Sequence, residues 1–143
     1  YYFHPGREPI IRHYGFVINA VTQMVHLLNF IDKCIDSKVY YITDPPIDSS
    51  EWMNAFSISL RGKPITKIPR LLWKALGMLG DIFNLFGFNA PVSSARYFRL
   101  TINEKLPFQK TINIVGKPQY TLEQGVQMCI DWIGQYFPHL LRK

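Results

Sequence analysis

The stretch "IIRHYGFVIN", residues 10–19, decides how the chain begins to fold. Most of its residues are apolar, β-branched or aromatic, and this composition is typical of a strand. Asn19 stands where a helical pattern starts, and its side chain can accept hydrogen bonds from the free N–H groups of a first turn. We therefore predict a strand over residues 10–18 and a helix that Asn19 caps.

The next segments continue this alternation of helix and strand. Apolar residues recur at helical spacing and give the first helix one apolar face, formed by Val21, Met24, Val25 and Leu28. The stretch "SKVYYIT", residues 37–43, is β-branched and aromatic, and predicts a buried strand.

A second helix is predicted after the turn "DPPIDSSEW". Asp48 and Glu51 resemble a capping box, and Gly62 ends the helix at about Arg61. The stretch "KPITKIP", residues 63–69, predicts a short extended segment.

The second half of the chain is predicted to be mainly helical. Pro69 suits the first turn of a third helix, which continues through "LLWKALGMLGDIFNLFGF", residues 71–88. Ser93 or Ser94 can cap a fourth helix. "KTINIVG", residues 110–116, predicts a short extended or turn segment.

The last helix completes the predicted order of elements. Thr121 and Gln124 form a second capping-box pattern, and Pro138 ends the helix. The chain, residues 1–143, is thus predicted to be one α/β domain with few short strands and about five helices. Those strands are too few for a complete doubly wound sheet.

Composition limits the classes of function. The chain has 143 residues, with 48% hydrophobic and 15% aromatic residues, which is ample for a core. The formal net charge is +6, but the 16 Lys and Arg residues are scattered along the chain. A nucleic-acid interface normally clusters them, so we predict no nucleic-acid partner.

Two features bear on the cellular compartment. Residues 71–88 are very apolar, but Lys74, Asp81 and three glycines oppose a membrane span, so we predict a buried or groove-lining helix rather than a membrane-surface helix. Cys34 and Cys129 lie far apart in helical patterns, which predicts two buried thiols in a reducing, cytoplasmic compartment. The chain begins without a methionine or a signal-peptide pattern, which predicts an excised piece or a mature fragment.

The motifs of catalysis and cofactor binding are absent from the sequence. No G-x-G-x-x-G or P-loop follows a strand, and Gly77 and Gly80 lie inside an apolar helix, where close helix packing is the simpler explanation. The four histidines lack metal-binding spacing, no G-x-S-x-G occurs, and no Tyr-x-x-x-Lys pair is present. We therefore predict that this chain has no catalytic residues, binds no metal or cofactor by itself and is inactive by itself.

Four stretches in sequence order carry a resemblance over nearly the whole chain. They are "RHYGFVINAVTQMVHLL", "KVYYITDPPIDSSEWMNAFSISLRG", "ITKIPRLLWKALG" and "PFQKTINIVGKPQYTLEQGVQMCIDWI". Together they resemble the C-terminal half of extended short-chain dehydrogenases/reductases, the NAD-dependent epimerases and dehydratases of nucleoside-diphosphate sugars. The branch that "HPG…IRHYGFV" resembles most is associated with polysaccharide biosynthesis.

The resemblance implies a substrate-binding role for this chain. An N-terminal Rossmann domain, outside the chain, would bind NAD or NADP and carry the catalytic Tyr and Lys of an isomerase or oxidoreductase. Arg12 would contact the substrate diphosphate and Tyr14 would lie beside the nucleotide, with Arg96 or Arg99 as a second arginine. The implied partners are a nucleoside-diphosphate sugar, the N-terminal domain and a second copy in a homodimer.

The sequence departs from the family pattern and leaves two other hypotheses open. Asn19 replaces the usual Asp, and residues 108–111 match poorly. The apolar stretch 71–88 resembles hydroxysteroid-dehydrogenase-like relatives with apolar substrates. In a third hypothesis the chain is a non-catalytic interaction module, and Arg12 is an exposed surface charge.

Overall fold

A computed structural model describes residues 3–30 and 39–141 of the chain. Within these ranges the fold is mixed α/β, with seven helices and four short strands. In chain order the elements are β1 Phe3–Pro5, β2 Ile11–Arg12, α1 Val17–Asn29, β3 Ile47–Asp48, α2 Ser49–Arg61, β4 Thr66–Ile68, α3 Arg70–Leu85, α4 Ser94–Thr101, α5 Gln109–Val115, α6 Leu122–Tyr136 and α7 Pro138–Leu141.

The strands form two separate pairs. β1 pairs with β4 in parallel, and β2 pairs with β3 in antiparallel register, with Ile11 opposite Asp48. β1 thus precedes the first predicted strand, and the prediction of an extended segment at 63–69 is confirmed in part by β4. Two- and three-residue strands leave the described chain without an extended sheet.

The two longer predicted strands are wrong. In the stretch 10–18 only Ile11 and Arg12 form a strand. In the stretch 37–43, residues 39–43 form no strand, and residues 37 and 38 lie outside the described residues. The Tyr14 carbonyl accepts hydrogen bonds from the Asp44 N–H at 2.9 Å and from the Thr43 hydroxyl at 3.0 Å. The backbone hydrogen bonds of this irregular segment are thus made partly by side chains, whereas a strand would make them to the backbone of a neighbouring strand.

The prediction that Asn19 caps the first helix is also wrong. The N-cap of α1 is Phe16, whose N–H donates to the Asp44 carboxylate at 2.9 Å. Asn19 lies inside the helix and is 2% exposed. Its side-chain amide donates to Asp44 at 3.1 Å and to the Tyr120 carbonyl at 2.9 Å, and its oxygen accepts from the Tyr120 N–H at 3.0 Å. Asn19 therefore joins α1 to the segment that enters α6.

The boundaries of α2 follow the sequence signals. Asp48 is the N-cap and accepts from the N–H and the hydroxyl of Ser50. Gly62 ends the helix in the left-handed conformation, with φ 65°, which a residue without Cβ adopts at little cost. Pro69 is the N-cap of α3 rather than a member of its first turn.

The later helices confirm their predicted caps but not every prediction. Ser93 caps α4, and Thr121 with Gln124 forms the full capping box of α6. Residues 110–116 were expected to be extended, but most of them form α5, in which Thr111 is completely buried. The last long helix, α6, ends at Tyr136 with Phe137 as its C-cap, and the short α7 begins at Pro138.

α3 packs mainly against α4 through its small residues. A Cβ built on Gly80 would lie 1.7 Å from the Val92 carbonyl oxygen, and one on Gly77 would lie 3.2 Å from the Ser94 backbone. Asp81 accepts the Ser94 N–H at 3.2 Å, so it supports the start of α4. Close helix packing, predicted for both glycines, is confirmed.

The core of the described residues is small and largely polar. Its buried hydrophobic residues are Ile10, Trp73 and Val126, and they are accompanied by buried polar residues such as Asn19 and Gln23. The apolar face predicted for α1 exists, but it is exposed to solvent. α3 is likewise mostly exposed, and its buried residues are Trp73, Gly77 and Gly80. Of the two alternatives predicted for 71–88, the buried helix is therefore wrong, and the groove-lining helix stays a prediction.

Candidate functional site

A half-open cavity of about 670 Å³ lies between the segment after β2 and three helices, α2, α5 and α6. This volume is in the range of small-molecule sites. Its lining is mostly apolar and aromatic, with Tyr14, Phe16, Ile47, Trp52, Phe56, Phe108, Ile112, Leu122 and Val126 among the contributors.

One wall of the cavity is a stack of aromatic rings. Tyr14 and Trp52 are nearly parallel, with ring centroids 4.4 Å apart and an interplanar angle of 12°. Trp52 also contacts Phe56, one turn further along α2, at 4.8 Å. Burial, the largest effect, raises the pKa of Tyr14 above its ordinary value of 10.0, while Arg12 acts in the opposite direction. The phenol is therefore neutral at physiological pH and can donate a hydrogen bond.

Another part of the cavity wall depends on Asn19. Phe16 and Tyr120 meet edge to face at 5.8 Å, and Asn19 holds the Tyr120 backbone at both its N–H and its carbonyl. A Cβ on Gly125 would lie 3.1 Å from the Phe16 ring, so the absence of a side chain lets α6 approach that ring. The buried amide of Asn19 thus fixes the shape of the cavity by holding Tyr120, which lines it.

Polar groups are few in the cavity. The Asp44 carboxylate is already used by Phe16 and Asn19, and Gln109 donates to Asn113 at 2.9 Å. Lys117, which is exposed, supplies positive charge among the lining residues. Cys129 is half-buried and also lines the cavity, whereas Cys34 lies outside the described residues.

The arginines nominated from the sequence do not line this cavity. The Arg12 guanidinium binds the Glu104 carboxylate and the backbone carbonyl of Arg99. Arg99 therefore meets Arg12 through its backbone, while its side chain is on an exposed position of α4. The Arg96 guanidinium donates to the Pro91 carbonyl. Of the four nominated residues, Tyr14 lies in the cavity, Arg12 lies two residues before it, and Arg96 and Arg99 do not line it.

Glu104 stays ionised beside Arg12. Slight burial acts to raise the pKa of Glu104, but the hydrogen bonds from Arg12 and from the His13 N–H outweigh it and lower the pKa below its ordinary value of 4.5. The pair is partly exposed, with the side chain of Arg12 18% and that of Glu104 39% accessible, so solvent screens much of its attraction. The ion pair positions the guanidinium more than it stabilises the fold.

Sequence reasoning missed most of the cavity wall. Trp52 and Phe56 are four residues apart, which places them on one face of a helix, and this spacing could have nominated them. Phe108, Lys117 and Tyr120 are brought to the cavity by tertiary packing, and no local pattern marks them.

Comparison of the chain with family models, with curated proteins and with solved structures found no match. In the described part of the chain, every helix is too short or too polar to cross a bilayer.

Proposed function

We propose that this chain is the substrate-binding part of an NAD-dependent enzyme that acts on a nucleoside-diphosphate sugar, related to the extended short-chain dehydrogenases/reductases. The observation that carries the proposal is the placement of Tyr14, which the sequence resemblance assigns to the nucleotide. Its ring stacks on Trp52 in the wall of a cavity of about 670 Å³. Aromatic walls bind nucleotide bases by stacking, and a cavity of this size accommodates a small ligand.

Arg12 supports a diphosphate contact beside that cavity. Its planar guanidinium binds the carboxylate of Glu104, and a phosphate offers the same geometry of two acceptor oxygens. In the proposal, the substrate diphosphate takes the place of Glu104 on Arg12 while the base enters the aromatic cavity. Glu104 then competes with the ligand.

The complete enzyme would join this chain to an N-terminal Rossmann domain. That domain would bind NAD or NADP and supply hydride transfer and the acid–base pair, while this chain orients the substrate. The exposed apolar face of α1, at Val21, Met24, Val25 and Leu28, is the surface that we assign to contact with that domain.

An apolar substrate is the second candidate, and the cavity lining favours it. Aromatic and aliphatic side chains make up most of the wall, and Arg12 is engaged by Glu104 outside it. This lining suits a hydroxysteroid-dehydrogenase-like relative whose ligand is held by burial of apolar surface.

Calorimetric titration of the 143-residue chain with UDP, GDP and a sterol separates these candidates. We expect a nucleotide to bind, Trp52→Ala and Arg12→Ala each to weaken binding on the order of tenfold, and Glu104→Ala to strengthen it. Lys63→Ala, at an exposed site outside the cavity, is the matched control. Sterol binding without nucleotide binding would establish the second candidate, and no binding of any of the three ligands would reject both.

A further inference from the structure

Lys117 gives the cavity an uncompensated positive charge. Within residues 3–30 and 39–141, the charged residues that line the cavity are Lys117 and Asp44. Both Asp44 oxygens accept hydrogen bonds inside the protein, one from the Phe16 N–H at 2.9 Å and one from the Asn19 amide at 3.1 Å. Lys117 is exposed, and in the described part of the chain its ammonium group pairs with no carboxylate. The positive charge is therefore available to a ligand, whereas the negative charge is already engaged.

The backbone around Lys117 is restricted by its two neighbours. Gly116 is the C-cap of α5 and has φ 83°, a conformation that a residue with a Cβ rarely adopts. Its N–H donates to the Ile112 carbonyl at 2.8 Å. Pro118 follows, and its ring disfavours a helical backbone at the residue before it. The chain therefore turns out of α5 at Gly116 and places Lys117 on the irregular segment that leads to α6.

The other end of this segment is anchored to α1. Asn19, which is buried, accepts the Tyr120 N–H at 3.0 Å and donates to the Tyr120 carbonyl at 2.9 Å. Thr121 then caps α6. Lys117 thus lies on a short connection that is fixed at both ends. A ligand that engages it loses little affinity to ordering of the backbone.

The closest acid along the sequence, Glu123, leaves this charge in place. Its carboxylate accepts the Thr121 hydroxyl at 2.9 Å and does not line the cavity. Glu123 is exposed, so solvent and salt screen its effect on Lys117. The whole chain has a formal net charge of +6, which favours anions over cations at an exposed site.

The rest of the wall suits the uncharged part of a ligand. Tyr14 stacks on Trp52 at 4.4 Å, and Trp52 contacts Phe56 at 4.8 Å. A small inorganic anion would leave these rings without a partner, and a wholly apolar molecule would leave Lys117 without one. Both features are used by a molecule that has an aromatic or apolar body and an anionic group.

We infer that Lys117 determines the class of ligand, because it binds the anionic group of such a molecule where the cavity meets solvent. The inference rests on the proposed function in taking this cavity as the ligand site. An ammonium group binds oxyanions as a point charge, so the anionic group is either the phosphate of a nucleotide or the carboxylate of an apolar acid. Arg12 must first lose Glu104 to bind such a group, whereas Lys117 displaces no acid of the described chain.

Two pairs of ligands that differ in charge test the inference by calorimetric titration of the 143-residue chain at neutral pH. The nucleotide pair is UDP and uridine, and the apolar pair is decanoate and decanol. Lys117→Gln should lower the affinity for the charged member of a pair about tenfold and keep that for the neutral member within about twofold. Lys117→Arg should keep the preference for charge. Added sodium chloride should weaken binding of the charged member to the wild type more than to Lys117→Gln, because salt screens an exposed charge pair.

The matched control is Lys63→Gln, the same change at an exposed lysine that does not line the cavity. It should leave every affinity within about twofold of the wild type. Far-UV circular dichroism confirms that each variant keeps its helices.

Three outcomes would overturn the inference. The first is a Lys117→Gln variant that binds the charged members as tightly as the wild type. The second is an equal loss for charged and neutral members, which would mean that the lysine stem packs on the ligand and its charge has no role. The third is that none of the four ligands binds.

The two ligand pairs separate this inference from the proposed function. Decanoate binding that depends on Lys117, without UDP binding, would support the inference and reject the nucleotide as ligand. UDP binding that is weakened by Trp52→Ala and Arg12→Ala but not by Lys117→Gln would support the proposed function and overturn the inference.

Discussion

Replacing Asn19 by Asp tests the buried contact that joins α1 to the wall of the cavity. The Asn19 amide donates to Asp44 at 3.1 Å and to the Tyr120 carbonyl at 2.9 Å. In the Asn19→Asp variant an oxygen replaces the amide nitrogen and faces the two oxygens that accepted its hydrogen bonds. One of these oxygens belongs to the Asp44 carboxylate. Two charges at this distance and an effective dielectric constant near 20 repel by roughly 5 kcal/mol.

The cost of the variant is limited by protonation. An aspartate with an ordinary pKa near 3.9 takes up a proton at pH 7 for about 4 kcal/mol, which is less than the repulsion, so the new carboxyl is neutral in the folded state. A neutral carboxyl still accepts from Tyr120 but donates one hydrogen bond where the amide donated two, at a further cost of about 1 kcal/mol. We therefore expect a loss of about 5 kcal/mol in the free energy of unfolding near pH 7.

The sign of the pH dependence follows from linkage. The folded-state pKa of the new carboxyl is raised above its unfolded value, so the folded protein binds the proton more tightly. The penalty is then full near pH 7, shrinks by about 1.4 kcal/mol per pH unit below that, and nears 1 kcal/mol around pH 4. Urea unfolding of the variant and of the wild type at matched pH values measures this difference.

The matched control is Asn29→Asp, the same change at an exposed position at the end of α1. It should cost about 0.3 to 1 kcal/mol through the helix dipole and vary little between pH 5 and pH 7. If Asn19→Asp lost less than about 1 kcal/mol near pH 7, or if its loss did not shrink with acid, the contacts assigned to Asn19 would be refuted.

Three further predictions concern stability and are measured by urea unfolding. Gly80→Ala should lower the free energy of unfolding by about 3 kcal/mol, since the new Cβ would lie 1.7 Å from the Val92 carbonyl oxygen. Gly134→Ala is the control, because its Cβ would lie 3.4 Å from the nearest neighbour, and it should be neutral or raise the free energy of unfolding by up to about 1 kcal/mol. Equal effects of the two variants would contradict the packing argument. Asp48→Ala should cost about 1 to 2 kcal/mol at neutral pH through loss of a helix cap. Burial acts to raise the pKa of Asp48, but its hydrogen bonds lower it overall, so that cost should fade as pH falls below about 4, and a cost that persists in acid would count against the cap. Burial lowers the pKa of His4 from its ordinary value of 6.5. The stability that comes from the neutral ring is therefore present above pH 6.5 and lost as pH falls through the folded-state pKa. His4→Phe should flatten this part of the plot of unfolding free energy against pH, and an unchanged slope would contradict the prediction.

Local signals in the sequence predicted the helix ends well. Asp48, Gly62, Ser93 and Thr121 cap their helices as expected, because a cap involves only neighbouring residues. Asn19 has the same side-chain chemistry, but it is used across the fold by Tyr120, and no local pattern distinguishes the two uses.

Tertiary packing decided the elements that sequence reasoning missed. The β-branched stretch 110–116 favours an extended conformation, yet most of it is helical, with Thr111 completely buried. The spacing of Val21 and Leu28 correctly indicated an apolar face on α1, but spacing does not specify what covers the face. In the described residues α1 turns its polar side, with Asn19, to the core.

The candidate site was only partly predictable from the sequence. The family resemblance nominated Tyr14, which lines the cavity, and Arg12, whose guanidinium is held by Glu104 outside it. Trp52 stacks on Tyr14 only after α2 has packed beside the segment that follows β2. The cavity is therefore a property of tertiary structure, and local sequence patterns mark only a few of its residues.

The partners of β2 have a consequence for synthesis of the chain on the ribosome. The Ile11 N–H donates to the Asn103 side chain at 2.9 Å, across 92 residues, and the Glu104 N–H donates to the Ile11 carbonyl at 3.0 Å. At the usual rate of translation, roughly 5 to 20 seconds pass between the synthesis of these two segments. During that time the N–H and the carbonyl of Ile11 lack both partners, so these two backbone groups stay open to other hydrogen bonds until Asn103 and Glu104 have emerged.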